Sequence, residues 1–203
     1  MNAASDSVNE IATVRIELRH TDPLIWREVE VPTSITLMVL QISSRPSWAG
    51  SITISGSLAS TERKYGFGDD EDWRGAPRSL ATHVRLRGVL KPSRTVIDYT
   101  YDLGDCWEHR LTVTDVRTGQ PGISYPRYVS GERNGPPEDC GGISGFYEWL
   151  KALLDPQHEC HTEAKEWADE YDPDAVDELP IKYALSRIAN RRNAARVRIA
   201  KSL

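Results

Sequence analysis

The chain has 203 residues, with 25 Lys plus Arg against 30 Asp plus Glu and a formal net charge of −5. That length predicts one domain with an appendage, able to bury a core without disulfides or metal. A hydrophobic share of 39%, with six Trp and eight Tyr, excludes a wholly disordered chain, and no apolar run approaches the roughly 20 residues of a membrane span. The opening residues lack the basic and apolar regions of a secretory signal. Cys106, Cys140 and Cys160 are odd in number and widely spaced, which fits reduced thiols better than a disulfide framework. The expectation is a soluble cytoplasmic protein with no membrane partner.

Residues 1–11 are small and polar and read as a flexible leader. From Ala12 to His20 apolar and charged residues alternate, which predicts a half-buried strand. Asp22-Pro23 makes a turn, and Ile25 to Val31 returns as the second arm of a hairpin. Thr33-Ser34 reads as a helix N-cap ahead of Ile35, Leu37, Val39 and Leu40. That helix fails at 42–60, where Ser, Gly and Thr dominate without helical period. Lys64 to Arg74 reads as a charged loop punctuated by aromatics, and Ser79 to Leu90 as a short helix.

Strands are predicted at Thr95–Tyr101 and Arg110–Val116, joined through a turn at 102–109. Tyr125–Val129 reads as an edge strand, because Pro126 cannot donate to a ladder. Phe146, Trp149, Leu150, Leu153 and Leu154 are helically spaced over 144–154, stopped by Asp155-Pro156. A more polar helix covers Glu159 to Tyr171. Asp172-Pro173-Asp174 opens a third helical stretch, with a basic helix from Ile181 to about Ile199. Strands first and helices last predict α+β, an antiparallel sheet of hairpins with C-terminal helices packed on it.

Three stretches carry a recognisable signature. They are Pro23-Leu-Ile-Trp-Arg27, Tyr99-Thr-Tyr-Asp-Leu-Gly-Asp-Cys-Trp-Glu-His109 and Gly131-Glu-Arg-Asn-Gly-Pro-Pro-Glu-Asp-Cys-Gly-Gly142. Together with Trp167 and Asp172-Pro173-Asp174 they resemble the plasmid pRiA4b ORF-3 family over about residues 12–180. The resemblance implies a compact α+β domain over 12–178, a mobile-element association and no assigned biochemical role. Some members carry a "resolvase" label, but nothing here resembles the short nucleophilic-serine signature of serine recombinases. Residues 42–60 depart from the family, which has a helix followed by Q-A-x-M-G-W-x-D-x-H-L-x-x-F. A shifted reading of back-translated Gln41–Thr61 permits a segment of that form, so a pair of compensating frameshifts is the expectation. Poor packing of 42–60 would follow from it, and an in-frame Ser/Gly/Thr codon run in independent clones of the gene would sink the idea.

Two clusters bear on chemistry. Asp102, Asp105, Glu108 and His109 lie within eight residues, and Glu138, Asp139 and Cys140 form a second group. If the loops meet, they can build a mixed oxygen–nitrogen site for a divalent metal, with His109 and Cys140 as ligands, or an acid/base pair. The plainer alternative is a tight hairpin in which Asp102 and Asp105 bond turn amides and Glu108 pairs with an arginine. Pro136-Pro137 suggests a rigid loop, with a cis bond as one option. His158-Glu-Cys-His161 reads as the polar first turn of a helix rather than a zinc tract. Trp26, Trp107, Trp149 and Trp167 read as core.

After Glu178 there is no acid, while Lys182, Arg187, Arg191, Arg192, Arg196, Arg198 and Lys201 follow. The tail at 179–203 can neutralise phosphates through Arg187, Arg191, Arg192, Arg196, Arg198 and Lys201. Equally, it can be a solvated helix whose cations suit its negative dipole end. The first functional expectation is a non-catalytic accessory domain that binds nucleic acid or a protein partner. The alternative is a metal-dependent hydrolase-like enzyme built on the two acidic loops.

Overall fold

The computed structural model describes residues 10–37, 39–40, 57–60, 63–66, 79–80, 83–90, 95–102, 104–168 and 171–202. The atypical stretch 42–60 lies outside them except for 57–60, and so does its expected poor packing. In chain order the elements are β1 (Glu10–Leu18), β2 (Ile25–Pro32), β3 (Ser57–Ser60), β4 (Arg63–Gly66), β5 (Ser79–Leu80) and a 3-10 turn at Leu86–Gly88. Then come β6 (Thr95–Tyr101), β7 (Trp107–Thr118), β8 (Arg127–Glu132), α1 (Gly142–Leu154), α2 (His161–Ala168) and α3 (Glu178–Lys201). The strands form one sheet in the order β5-β4-β3-β6-β7-β1-β2-β8. Its pairings are antiparallel apart from the short β4–β5 contact. The α+β expectation holds.

Side-chain alternation explains the layering. Ala12, Val14, Ile16 and Leu18 of β1 stand opposite Val31, Val29, Arg27 and Ile25 of β2, and all are buried. Leu111 of β7 and Ile97 of β6 continue that face. The hairpin is tied at its turn by Thr21, whose hydroxyl donates to the Leu18 carbonyl (2.8 Å) and accepts from the Ile25 amide (3.0 Å). The other face carries charge. Arg110 pairs with Asp98 (2.7 Å), Arg15 with Glu17 (2.8 Å), and Glu30 with Arg127 (2.6 Å) and Arg117. One face is therefore core, and the other a ladder of ion pairs.

Helices cover the apolar face in two groups. Phe146, Trp149 and Ala152 recur at threes along α1 and pack with Ala164 and Ala168 of α2 against Leu18, Ile25 and Trp107. Ile181 and Leu185 of α3 pack with Ile35, Leu37, Leu40, Leu86 and Val89 against the middle of the sheet. Both are almost fully buried, at 2% and 1% exposed, each contributing roughly 1.5–3 kcal/mol relative to exposure. α3 starts at Glu178, and Ile181, Leu185 and Ala189 in its first three turns are buried. Asp177 caps it, accepting from the Leu179 amide at 3.3 Å.

Several expected elements are different in the structure. The helix start near residue 33 is capped by Thr36, whose hydroxyl receives the Val39 amide at 3.4 Å, while Thr33 instead donates to Glu10. The first three residues of the expected charged loop at 64–74 belong to β4, because β3 supplies a ladder for residues 63–66 that no local pattern announces. Among the described residues of 79–90, Ser79 and Leu80 form β5 and the helical piece is the 3-10 turn at Leu86–Gly88. The amides of Leu86 and Arg87 donate to the carbonyls of Ile35 and Thr33, so nonlocal backbone partners take the place of helical ones. The 102–109 turn is shorter than expected, since Trp107, Glu108 and His109 already belong to β7. The edge strand runs two to three residues later than read, at Arg127–Glu132, and the helix expected over 159–171 is His161–Ala168. Cis bonds lie at Asp22–Pro23 and Tyr125–Pro126, not at Pro136–Pro137. Among the described residues, no helix is long and apolar enough to cross a membrane.

Candidate functional site

The three signature stretches converge at one end of the apolar face. Arg27, from the first stretch, is 9% exposed and sits on the core side of β2. Its Nη1 donates to the carbonyls of Trp26 (2.7 Å) and Glu132 (2.8 Å). It lies over Gly131, where a Cβ would meet Arg27 Cδ and the Trp26 carbonyl at 2.7 Å and the Tyr128 hydroxyl at 3.0 Å. That position needs glycine because an arginine stem fills the space a side chain would take. Burial pushes the guanidinium below its ordinary value, while the nearby Tyr128 and Tyr171 pull it the other way. Among the described residues the Tyr171 hydroxyl is buried without a hydrogen-bond partner.

The second and third stretches meet directly. A Cβ on Gly142 would stand 2.6 Å from the Asp105 carbonyl oxygen, so the two loops touch backbone to backbone. Gly141 and Gly142 both hold positive φ, 83° and 69°, which a Gly-Gly pair takes without steric cost. Among the described residues one Asp105 carboxylate oxygen is buried without a partner, and its charge reaches Cys140. Burial first, then Asp105 and Asp139, pushes the Cys140 thiol up to about 11. A thiol held that high has little thiolate at neutral pH. Iodoacetamide at pH 8 is therefore expected to label the exposed Cys106 and Cys160 well before Cys140. Equal labelling in a peptide-resolved time course would contradict this packing.

The loops meet, yet the candidate side chains are not gathered. Asp102 turns inward on its own hairpin, and its Oδ1 accepts the amides of Gly104 (2.8 Å) and Asp105 (3.3 Å). Glu108 and His109 are adjacent on β7 and so point to opposite faces. Glu108 joins the charged face, bonded to Arg19 at 3.0 Å and His20 at 3.1 Å. His109 is buried, stacked on Tyr99 with ring centroids 4.6 Å apart, its Nδ1 3.1 Å from the Trp107 carbonyl. Glu138 and Asp139 stand exposed on their loop. Among the described residues, no three His, Cys, Asp or Glu side chains come together as a metal site would need. His161 Nδ1 lies 2.9 Å from the Ala152 carbonyl, linking α2 to α1, and His158 Nδ1 accepts the Cys160 amide within its own turn.

The tryptophans divide as well. Trp107 and Trp149 are buried, whereas Trp167 is 47% exposed and meets Trp149 edge-on at 5.2 Å. Trp26 lies on the charged face beneath the Arg15 guanidinium, 3.9 Å from its ring centre. Its placement was legible in principle, since it alternates with Ile25 and Arg27.

The basic residues of α3 separate by helical phase. Arg187, Arg191, Arg198 and Lys201 fall on the side opposite Ile181, Leu185 and Ala189, and all four are exposed. Arg192 and Arg196 lie on the docked side. Arg192 Nη2 donates to the Ser34 hydroxyl at 2.7 Å. The six candidates thus form two groups, a division that becomes visible once the buried face of the helix is known.

The model of a known family, plasmid pRiA4b ORF-3-like protein, matches residues 10–179. The uncharacterized protein y4hQ of Sinorhizobium fredii is 32% identical over 191 residues, covering 87% of this chain and 96% of that one. A crystal structure of a protein of unknown function from Methanosarcina mazei Go1 superposes with a TM-score of 0.75. That likeness covers 83% of this chain and 95% of the other at 24% identity, and it shows the fold alone. With the three signature stretches joined in one place and the family match spanning the sheet, α1 and α2, the chain belongs to the plasmid pRiA4b ORF-3-like family.

Proposed function

We propose that this protein is a non-catalytic accessory domain that contacts nucleic acid through the outer face of α3. One observation carries the proposal: four cations share one side of a helix whose first half is anchored to the core by its other side. Arg187, Arg191, Arg198 and Lys201 span about 21 Å at 1.5 Å per residue. Among the described residues none of the four is ion-paired with a carboxylate, and Arg187 rests near the Tyr183 ring at 6.0 Å. No acid follows Glu178, so the stripe stays positive although the whole chain is at −5. A helix fixed in this way presents its charges with little ordering cost, which suits backbone contact without sequence reading.

The experiment is fluorescence anisotropy with duplex and single-stranded DNA, using the full chain. Four phosphate contacts predict a slope of log K against log salt near about −3.6 on duplex DNA, or roughly a hundredfold loss between 50 and 200 mM salt. Replacing Arg187, Arg191, Arg198 and Lys201 by Gln abolishes this binding and leaves the thermal midpoint unchanged within a few degrees. Absence of binding at low salt, or equal binding by the variant, would overturn the proposal. The hydrolase alternative draws no support from the geometry, since Glu108 and His109 face apart and Asp102 is occupied by its own turn.

A further inference from the structure

Past Ala189 the docked side of α3 stops being apolar. Arg192 and Arg196 follow at the next positions of that face, where Ile181, Leu185 and Ala189 had packed. Arg192 Nη2 reaches the Ser34 hydroxyl at 2.7 Å. From another segment, Arg85 Nη1 donates to the carbonyl of the same Ser34 at 2.6 Å. Two guanidinium groups are thus drawn onto one neutral residue. Among the described residues neither is ion-paired with a carboxylate. Glu10, the acid beside this turn, instead accepts the Thr33 hydroxyl at 2.8 Å.

Like charges held this close repel, and here part of the solvent that would screen them is removed. Burial, then Arg196, then Arg85, all push the Arg192 guanidinium below its ordinary value, with no acid opposing them. Arg192 also lines a cleft of about 360 Å³, together with Asn193, Arg196, Tyr125 and the turn at 119–123. Its size suits a small group rather than a macromolecule. Guanidinium forks match the oxygens of a phosphate, each offering parallel donors at fixed geometry.

We infer that the notch between Arg85, Ser34 and Arg192 binds a phosphate-type oxyanion, with the adjoining cleft receiving the remainder of a phosphorylated ligand. This site is distinct from the outer stripe, because Arg192 lies on the opposite side of α3 from Arg187, Arg191 and Arg198. The oxyanion replaces mutual repulsion by two charge-assisted contacts, and Ser34 stays as the neutral hinge between them.

Thermal unfolding of the full chain with inorganic phosphate, against chloride at matched ionic strength, tests the inference. At about ten times its dissociation constant phosphate shifts the folding equilibrium roughly tenfold, a rise of roughly 3–6 °C for a chain of this size. Arg192→Gln and Arg85→Gln each remove the rise, while their midpoints in chloride stay at or above that of the parent chain. Arg192→Lys keeps the charge, loses the fork and retains only part of the rise. Lys151→Gln, on α1, keeps all of it. The outer-stripe variant also keeps it, so failure of the nucleic-acid proposal is seen separately. Competition by duplex DNA would assign the oxyanion to a nucleic-acid backbone, and tighter binding of a mononucleotide than of phosphate would assign it to a small ligand. No rise in the parent chain, or an equal rise in Arg192→Gln, would overturn the site.

Discussion

Gly145→Ala is expected to remove roughly 3–5 kcal/mol of folding stability, a large share of the roughly 5–15 kcal/mol typical of a domain. A Cβ at this position in the first turns of α1 would lie 1.8 Å from the Cys140 carbonyl oxygen and 2.8 Å from its carbon. Those atoms are backbone and cannot swing aside. The Cys140 carbonyl is held there because Asp139, Gly141 and Gly142 all take positive φ, folding the loop back against the helix it feeds. Gly142→Ala meets a related obstacle, combining left-handed backbone with a 2.6 Å approach to the Asp105 carbonyl. Gly88→Ala serves as the control: its Cβ would meet nothing within 4 Å, so its change should stay within about 0.5 kcal/mol. Urea denaturation reads all three. A loss below about 1 kcal/mol for Gly145→Ala would mean that the third signature loop does not fold back on α1 as described, and one as small for Gly142→Ala that it does not meet the second loop at Asp105.

Glu30→Gln is the second large effect, expected at about 3 kcal/mol near neutral pH, the low end for removing one member of a buried ion pair. The Glu30 side chain is 8% exposed on the charged face of β2, gripped by Arg127 Nε at 2.6 Å and by Arg117 from β7. Burial pushes its carboxyl up, but hydrogen bonds and charge from Arg127 and Arg117 outweigh burial and hold it below the ordinary carboxylate range. The low end applies because both arginines reach solvent and stay partly hydrated when the carboxylate is gone. A folded carboxyl below its unfolded value contributes stability that is present above the unfolded pKa and lost as pH falls through the folded one. The parent chain should therefore lose stability faster than Glu30→Gln as pH drops below about 4.5. Parallel loss in both chains would show that the clamp makes no net contribution.

Legibility in the sequence varied with the kind of contact. β1 and β2 were readable because Val14, Ile16, Val29 and Val31 obey the period of two and share a face. α1 was readable from the spacing of Phe146 and Trp149 and from its stop at Asp155. β4, by contrast, has only four residues and exists through its pairing with β3, which no local pattern encodes. The stretch at 83–90 carries apolar residues at near-helical spacing. Its backbone nevertheless pairs with the turn after β2, where Thr36 and Arg85 form a bridge. For the candidate residues, the sequence placed Glu108 beside His109 as if they could cooperate. The strand separates them, sending one to Arg19 and the other to Tyr99.

Neighbours along the chain are enough to set the order of the longer elements, the charge split after Glu178 and the family signature. Long-range packing brings the third signature stretch over the buried Arg27 and against the second stretch at Asp105. It alone decided that α3 docks by Ile181 and Leu185, and that this docking turns Arg192 toward Ser34 while Arg187, Arg191 and Arg198 face water. The physical reason is the same in each case. Burial and register depend on partners far away in the chain, and they set the side of an element on which each charge ends up.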